Sequence, residues 1–368
     1  MKSLHPQQLK KPPRPRRREK EDFLAMAVSK EPFGVTRDGR TVEKFILRCG
    51  RLEAEVLTYG GTLRTLRVPD RNGEPVDVVL GYDTLAGYED NDGYVGAVVG
   101  RYANRIAGAR CVIDGQTVHL EANEGVKQLH GGPRGFNRQV FDARQSGESA
   151  VTLSYLSPDG ENGFPGRLEL LVTYALTERS LSIRYAAASD KTTYCNITNH
   201  SYFNLNGGGD AMGHTLWLAA SRYTPVGPDS IPISMSRPVA GSPFDFTAEK
   251  PIGRDLLSPD QQLRNVGGYD HNFVLDPAEG LRRAARLTGD RSGIVMETWT
   301  EKPGVQVYTA NFLSTGEGKG GPGYRPRQAV CLETQFFPDS PNHPEWGDVL
   351  LRPGRQYDYT TEYRFSHI

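Results

Sequence analysis

Glu333 lies within Cys331-Leu332-Glu333-Thr334-Gln335-Phe336-Phe337, an apolar, strand-like run. A buried carboxylate is costly unless it is paired or used, so its presence there is a functional signal. His200 sits in Thr198-Asn199-His200-Ser201-Tyr202-Phe203-Asn204-Leu205, a stretch dense in polar groups beside aromatics. His130 occurs in Gln128-Leu129-His130-Gly131-Gly132, where the glycines are expected to let backbone approach a ligand closely. Asp270, in Tyr269-Asp270-His271-Asn272-Phe273, and Arg105, in Arg101-Tyr102-Ala103-Asn104-Arg105-Ile106, are further charges beside apolar neighbours. Taken singly, each of these residues is more often structural than catalytic. Together they point to general acid–base chemistry, with a histidine and a glutamate sharing a pocket.

Other chemistries find less support. His119, His130, His200, His214, His271 and His343 are dispersed without His-x-x-x-His or Glu-x-x-His spacing, so no metal is expected. Gly316-Glu317-Gly318-Lys319-Gly320-Gly321 fits G-x-G-x-x-G, but Pro322-Gly323 follows and no helical pattern comes after. A flexible loop is expected there, with no nucleotide. The cysteines at 49, 111, 195 and 331 form no Cys-x-x-Cys pair, which signals neither a thiolate zinc site nor a disulfide scaffold. Reduced, mostly buried thiols are expected. Asn196 and Asn199 are formal glycosylation acceptors, yet they stand in an aromatic-rich run and modification is not expected.

The elements that must position these groups read as strands. Leu63–Val68 and Val76–Leu80 flank Asp70-Arg71-Asn72-Gly73, and Cys111–Ile113 and Thr117–Leu120 flank Asp114-Gly115, both hairpin signals. Val151–Leu156, Leu168–Leu176 and Leu181–Ala187 alternate or run apolar between turns. Gly293–Thr300 and Gly304–Asn311 predict another strand pair, followed by a strand over Gln328–Gln335. Helical periodicity is confined to the neighbourhood of Ser258–Leu263. The 41 glycines and 25 prolines supply the turns of a many-stranded sandwich or barrel, not of a βαβ sheet. One large all-β domain over residues 26–368 is expected, with loops 207–214 and 226–246 lining its pocket.

Formal charge is zero over 368 residues, but residues 1–25 hold eight Lys/Arg against three acids, leaving a body of net −5. This basic, Pro-rich extension lacks the composition to fold. It also lacks the apolar stretch of about 7–15 residues that an export signal needs, and Met26 reads as the natural start. Mean hydropathy is −0.53 and no apolar run reaches membrane-spanning length. A cytoplasmic protein, monomeric or homodimeric, with neither a nucleic-acid nor a membrane partner, is expected.

The segments quoted above, with Gly100-Arg101-Tyr102-Ala103-Asn104-Arg105-Ile106, Ser157-Pro158-Asp159-Gly160 and Gly304-Val305-Gln306-Val307-Tyr308-Thr309, together resemble the aldose 1-epimerase (mutarotase) family. The likeness runs in the family's order over about residues 32–365. It implies a large antiparallel β-sandwich of the galactose mutarotase-like supersandwich type. It also implies interconversion of the α and β anomers of a free aldose, glucose or galactose, without a cofactor. By the same resemblance Glu333 is the base and His200 the acid. Arg105, His130 and Asp270, with Asn104, Tyr202 and Gln306, bind the sugar. Two alternatives stay open beside it: a sugar-binding or sensory module without catalysis, and an epimerase of a phosphorylated hexose.

Overall fold

Apolar alternation between turns yields antiparallel strands throughout residues 27–368, the part of the chain that this computed structural model describes. The extension expected at 1–25 lies outside the described residues. The Asp70–Gly73 turn forms because Asp70 Oδ1 accepts the backbone N–H groups of Asn72 and Glu74, both at 2.8 Å. It joins Leu63–Pro69 to Pro75–Asp77. Asp114 and Gly115 both take positive φ, the signature of a tight primed turn, and pair Arg110–Ile113 with Gln116–His119. Ala150–Ser157, Leu168–Leu176 and Ser180–Ser189 follow one another as an antiparallel meander.

Three principal sheets result. Five strands between Ala27 and Asp77 pair in sequence order. A nine-stranded sheet is centred on Ser180–Ser189, Tyr357–His367 and Ile294–Thr300. A six-stranded sheet is centred on Val330–Gln335, Gly304–Tyr308 and Asp270–Val274. Leu170, Val172, Ile183 and Tyr185 of the nine-stranded sheet share one buried cluster with Val305, Val307, Val330 and Leu332 of the six-stranded sheet. Leu47, Ala54 and Val56 of the five-stranded sheet join the same cluster. The expected antiparallel sandwich is therefore the observed architecture, with the hydrophobic effect of sheet-on-sheet packing holding the layers together. Among the described residues no helix is long and apolar enough to cross a membrane.

Three local expectations differ from the structure. Ile294–Thr300 and Gly304–Tyr308 are strands, but they do not pair with each other. The first lies between Arg282–Thr288 and Tyr357–His367, the second between Asp270–Val274 and Val330–Gln335. The connection Glu301-Lys302-Pro303 therefore crosses from one sheet to the other. Lys302, fully buried, supports this crossing by donating to the Ile197 carbonyl and lying 5.2–5.7 Å from the rings of Tyr185, Tyr357 and Tyr359.

The glycine-rich segment is a pinned hairpin, Glu317–Gly318 against Gly321–Pro322, in place of a free loop. Lys319 Nζ anchors it to the Asp77 carboxylate at 2.7 Å and to the carbonyls of Arg64 and Val79 at 2.6 and 3.0 Å. The expected helix runs over Gln261–Val266, capped by Asp260 and ended by Gly267 in the left-handed region. A second six-residue helix, Leu85–Asp90, capped by Thr84, is too short for its periodicity to show in the sequence.

Candidate active site

The strand Val330–Gln335 is buried along its whole length, and its period of two divides it into two functions. Val330 and Leu332 enter the core, and Thr334 bonds Thr361 of the nine-stranded sheet. Cys331, Glu333 and Gln335 face the other way. Register then places Gln306 opposite Glu333, Tyr308 and Tyr202 opposite Cys331, Asn272 opposite Gln306, and Asp270 opposite Tyr308. One face of the six-stranded sheet is thus a polar array. It is internally bonded: Gln306 Nε2 donates to Asp270 Oδ1 at 2.6 Å, and Gln335 Nε2 donates to Gln306 Oε1 at 3.2 Å.

A second wall comes from residues 100–106 and 128–132. Arg101, fully buried, donates from Nε to the Ser157 hydroxyl at 2.9 Å and from Nη2 to the Pro158 carbonyl at 2.9 Å. The Ser157–Gly160 motif therefore serves as an anchor for the chain entering the site. Arg105 then pairs with Leu129 in a two-residue antiparallel ladder. Asn104 and His130 both adopt left-handed backbone and bond reciprocally: His130 N–H donates to the Asn104 carbonyl and Asn104 N–H donates to His130 Nδ1, each at 3.1 Å. Because Nδ1 accepts, the neutral His130 ring carries its proton on Nε2.

Gly131 plays a part different from the one expected. At φ +87° a Cβ there would stand 1.8 Å from the Gly100 carbonyl oxygen. The close approach it permits is backbone against backbone, which brings the two segments of this wall together.

His200 arrives on a third segment. Its N–H donates to the Ala97 carbonyl at 2.8 Å and its carbonyl accepts from Gly96 N–H at 2.9 Å, just after Thr198–Asn199 pairs with Val98–Val99. Its ring lies between two side chains of the Val330–Gln335 strand, with Nε2 3.7 Å from Glu333 Oε1 and Nδ1 3.7 Å from Cys331 Sγ. The Tyr202 ring is 5.0 Å away, His130 5.2 Å and Tyr94 5.9 Å. Glu333 Oε2 is buried and has no hydrogen-bond partner among the described residues.

These walls enclose a cavity of about 340 Å³, in the range of small-molecule sites. Glu333, His200, His130, Arg105, Asn104, Tyr202 and Asp270 line it; Gln306 stands behind the wall, holding Asp270. The Tyr202 hydroxyl is already engaged, donating to the Gly93 carbonyl at 2.9 Å. Asn91–Tyr94, Tyr308 and Phe312–Thr315 complete the rim, in place of the expected loops 207–214 and 226–246. Segment 226–233 borders a separate hollow with residues 260–265.

Burial sets the electrostatics. It raises Glu333 well above the usual carboxylate range, with Asp270 adding to the effect and Arg105 opposing it. It lowers His200 to about 4 and drives His130 well below the imidazole range, the latter helped by His200 and Arg105. Asp270 is raised by burial against the pull of Arg105 and the Gln306 amide. Arg105 keeps its charge because Glu124, through Nε at 2.8 Å and Nη2 at 2.9 Å, and Asp270, 3.8 Å from Nη1, more than offset its desolvation. Glu124 is a site residue that sequence reasoning missed: in a loop at Asn123-Glu124-Gly125 it reads as an ordinary surface acid. His271 of the Tyr269–Phe273 motif belongs to the core, 4.7 Å from the Phe244 ring.

His130, His200 and Glu333 bring potential metal-ligand atoms within 4.8 Å of one another, a proximity their sequence spacing does not reveal. Two imidazoles and a carboxylate are also a complete acid–base set. His130 is a fixed neutral donor, while His200 and Glu333 form a pair able to take one proton and give another within one small cavity.

Comparison with known proteins agrees with this geometry. The family model for aldose 1-epimerase matches residues 43–364. A galactose mutarotase from Rattus norvegicus is 42% identical over 345 residues, spanning 93% of this chain and 99% of that protein. An aldose 1-epimerase from Escherichia coli K12 is 40% identical over 84% of this chain and 91% of that protein. A solved galactose 1-epimerase from Lactobacillus acidophilus superposes with a TM-score of 0.82 at 28% identity, over 93% of this chain and 99% of that one. With its sandwich, its cavity and nearly its whole described length matched in this way, the chain belongs to the aldose 1-epimerase family.

Proposed function

We propose that the 340 Å³ cavity binds a free aldose and that Glu333 and His200 interconvert its α and β anomers. Glu333 takes the proton from the anomeric hydroxyl as the C1–O1 bond becomes a carbonyl. The bond from C1 to the ring oxygen breaks, and His200 delivers a proton to that oxygen. The open-chain aldehyde turns about C1–C2, and the two residues reverse roles as the ring recloses on the other face. Electrons stay within the hemiacetal, so the atoms balance without a redox partner.

The observation that carries this reading is the arrangement of Glu333, whose Oε1 is 3.7 Å from His200 Nε2 while its buried Oε2 is left for a hydroxyl. The pair holds one proton between its members. Burial favours carboxyl and imidazole, whereas mutual attraction at 3.7 Å favours carboxylate and imidazolium and the Arg105 charge favours the carboxylate. A bound sugar supplies the hydrogen bonds that tip the pair toward the charged, working arrangement. His130 Nε2–H, the Arg105 fork and the Asp270 carboxylate are complementary donors and acceptors for the remaining sugar oxygens.

Arg105 is the one cationic side chain on the cavity wall among the described residues, and Glu124 and Asp270 already share its charge. That balance favours a neutral sugar over a phosphorylated one. Relatives named galactose mutarotase make galactose the first sugar to test. Polarimetry of freshly dissolved α-D-galactose and α-D-glucose checks the reading. Rotation should approach equilibrium at a rate proportional to enzyme concentration, and a rate equal to the spontaneous one contradicts it.

A further inference from the structure

Cys331 stands on the same strand face as Glu333, two residues before it, and the two side chains meet opposite edges of one imidazole. Glu333 Oε1 faces His200 Nε2 and Cys331 Sγ faces His200 Nδ1, each at 3.7 Å. The match is geometric: residues i and i+2 of a strand point the same way, about 6.6 Å apart, and the ring lies between them. Cys331 is fully buried among Tyr82, Leu80, Ala310 and Ala329, and its thiol is the hydrogen-bond partner that the described residues offer to Nδ1. The mechanism above assigns it no task.

We propose that the Cys331 thiol is a positioning group for His200, keeping a proton on Nδ1 so that Nε2, held toward the substrate, is the nitrogen that gives and regains the working proton. Which nitrogen of a neutral imidazole is protonated follows from the hydrogen bond made by the other one. In the imidazolium, Nε2–H faces Glu333 and the cavity while Nδ1–H donates to the Cys331 sulfur. When Nε2 gives its proton to the ring oxygen, the neutral ring keeps Nδ1–H on the sulfur, and Nε2 is left free to take a proton back on reclosure. A neutral thiol can hold that proton because its sulfur is a weak acceptor. Burial pushes this thiol well above its ordinary range, so it stays protonated while His200 cycles. A carboxylate in its place would add a third negative charge beside Glu333 and Asp270. The inference rests on the reading of His200 as the proton donor.

Three measurements test it. In wild-type protein, nitrogen-15 NMR of the neutral His200 ring, assigned by its loss in His200→Asn, should show protonated Nδ1 and unprotonated Nε2. A ring protonated at Nε2 overturns the proposal without any Cys331 variant having to fold. In Cys331→Ala, kcat should fall roughly 10- to 100-fold, the order seen when the partner orienting a functional imidazole is removed, while KM changes less than about 3-fold. Its His200 ring should show mixed tautomers, and Cys331→Ser should restore most of kcat. Wild-type kcat in Cys331→Ala, or a serine variant no better than alanine, overturns the proposal. His200→Asn in the same assay separates the two claims. If it is inactive while Cys331→Ala is normal, the positioning role alone fails; if it is fully active, the role of His200 fails and this inference falls with it.

Discussion

Glu333 and His200 titrate as a unit, since each lies within 3.7 Å of the other and the working state holds one proton between them. An ordinary Glu–His pair would keep that single proton only between about pH 4.3 and 6.5. Here burial raises the glutamate and lowers the histidine to about 4, so the histidine sets the acid edge of the window and the raised glutamate its alkaline edge. As pH falls through about 4 the second proton binds and kcat/KM declines; the alkaline decline begins only above the raised value of Glu333. A pH profile of kcat/KM should place its acid limb near 4, and an acid limb near 6.5 contradicts the assignment. Glu124 offers a second test, because its hold on Nε and Nη2 orients Arg105 with Nη1 toward Asp270, 3.8 Å away. Glu124→Gln should raise KM roughly 10-fold, the equivalent of about 1.4 kcal/mol, with a smaller effect on kcat. Of these residues, Glu333 was legible because a carboxylate interrupts an apolar run. Glu124 and Tyr94 were not, because loop acids and tyrosines are commonplace and only long-range packing brings Tyr94 to the rim and Glu124 against Arg105.

Strand periodicity tells which residues share a face but not which strand lies beside which. The run from 293 to 311 shows the limit. Both strands are present, yet burial on both faces of Gly304–Tyr308 removes the polar alternation that would mark a solvent-facing hairpin, and Glu301–Pro303 changes sheet instead. The glycines of the His130 segment show the reverse case, where a correct feature carried the wrong partner. Gly131 at φ +87° faces the Gly100 carbonyl, and Gly131→Ala forces both backbone strain and a clash. It should cost on the order of 3 kcal/mol in denaturant unfolding and lower activity through displacement of His130. Wild-type stability in that variant would show that the close approach of the two segments is not required.

At the scale of the molecule, the site draws on segments near 91–94, 104–105, 129–130, 200–202, 270, 308–315 and 333, and the sandwich is what gathers them. Composition and turn spacing made an all-β antiparallel architecture legible. The convergence of distant segments on one cavity was legible only through resemblance, since no local pattern encodes a contact across 200 residues. Among the described residues, every one that lines the cavity falls between Asn91 and Glu333. A chain beginning at Met26 retains every one of these residues and should keep kcat/KM within about 2-fold of the full chain. A large loss in polarimetry would assign residues 1–25 a part in catalysis.

The central claim is that one carboxylate, Glu333, takes the anomeric proton. Glu333→Gln keeps the shape of the side chain and its place opposite Gln306 while removing the base. Polarimetry of α-D-galactose should show kcat reduced by roughly 10²–10⁴-fold, the worth of one positioned proton transfer, in a protein that still binds the sugar. A glutamine variant as fast as wild type would contradict the account.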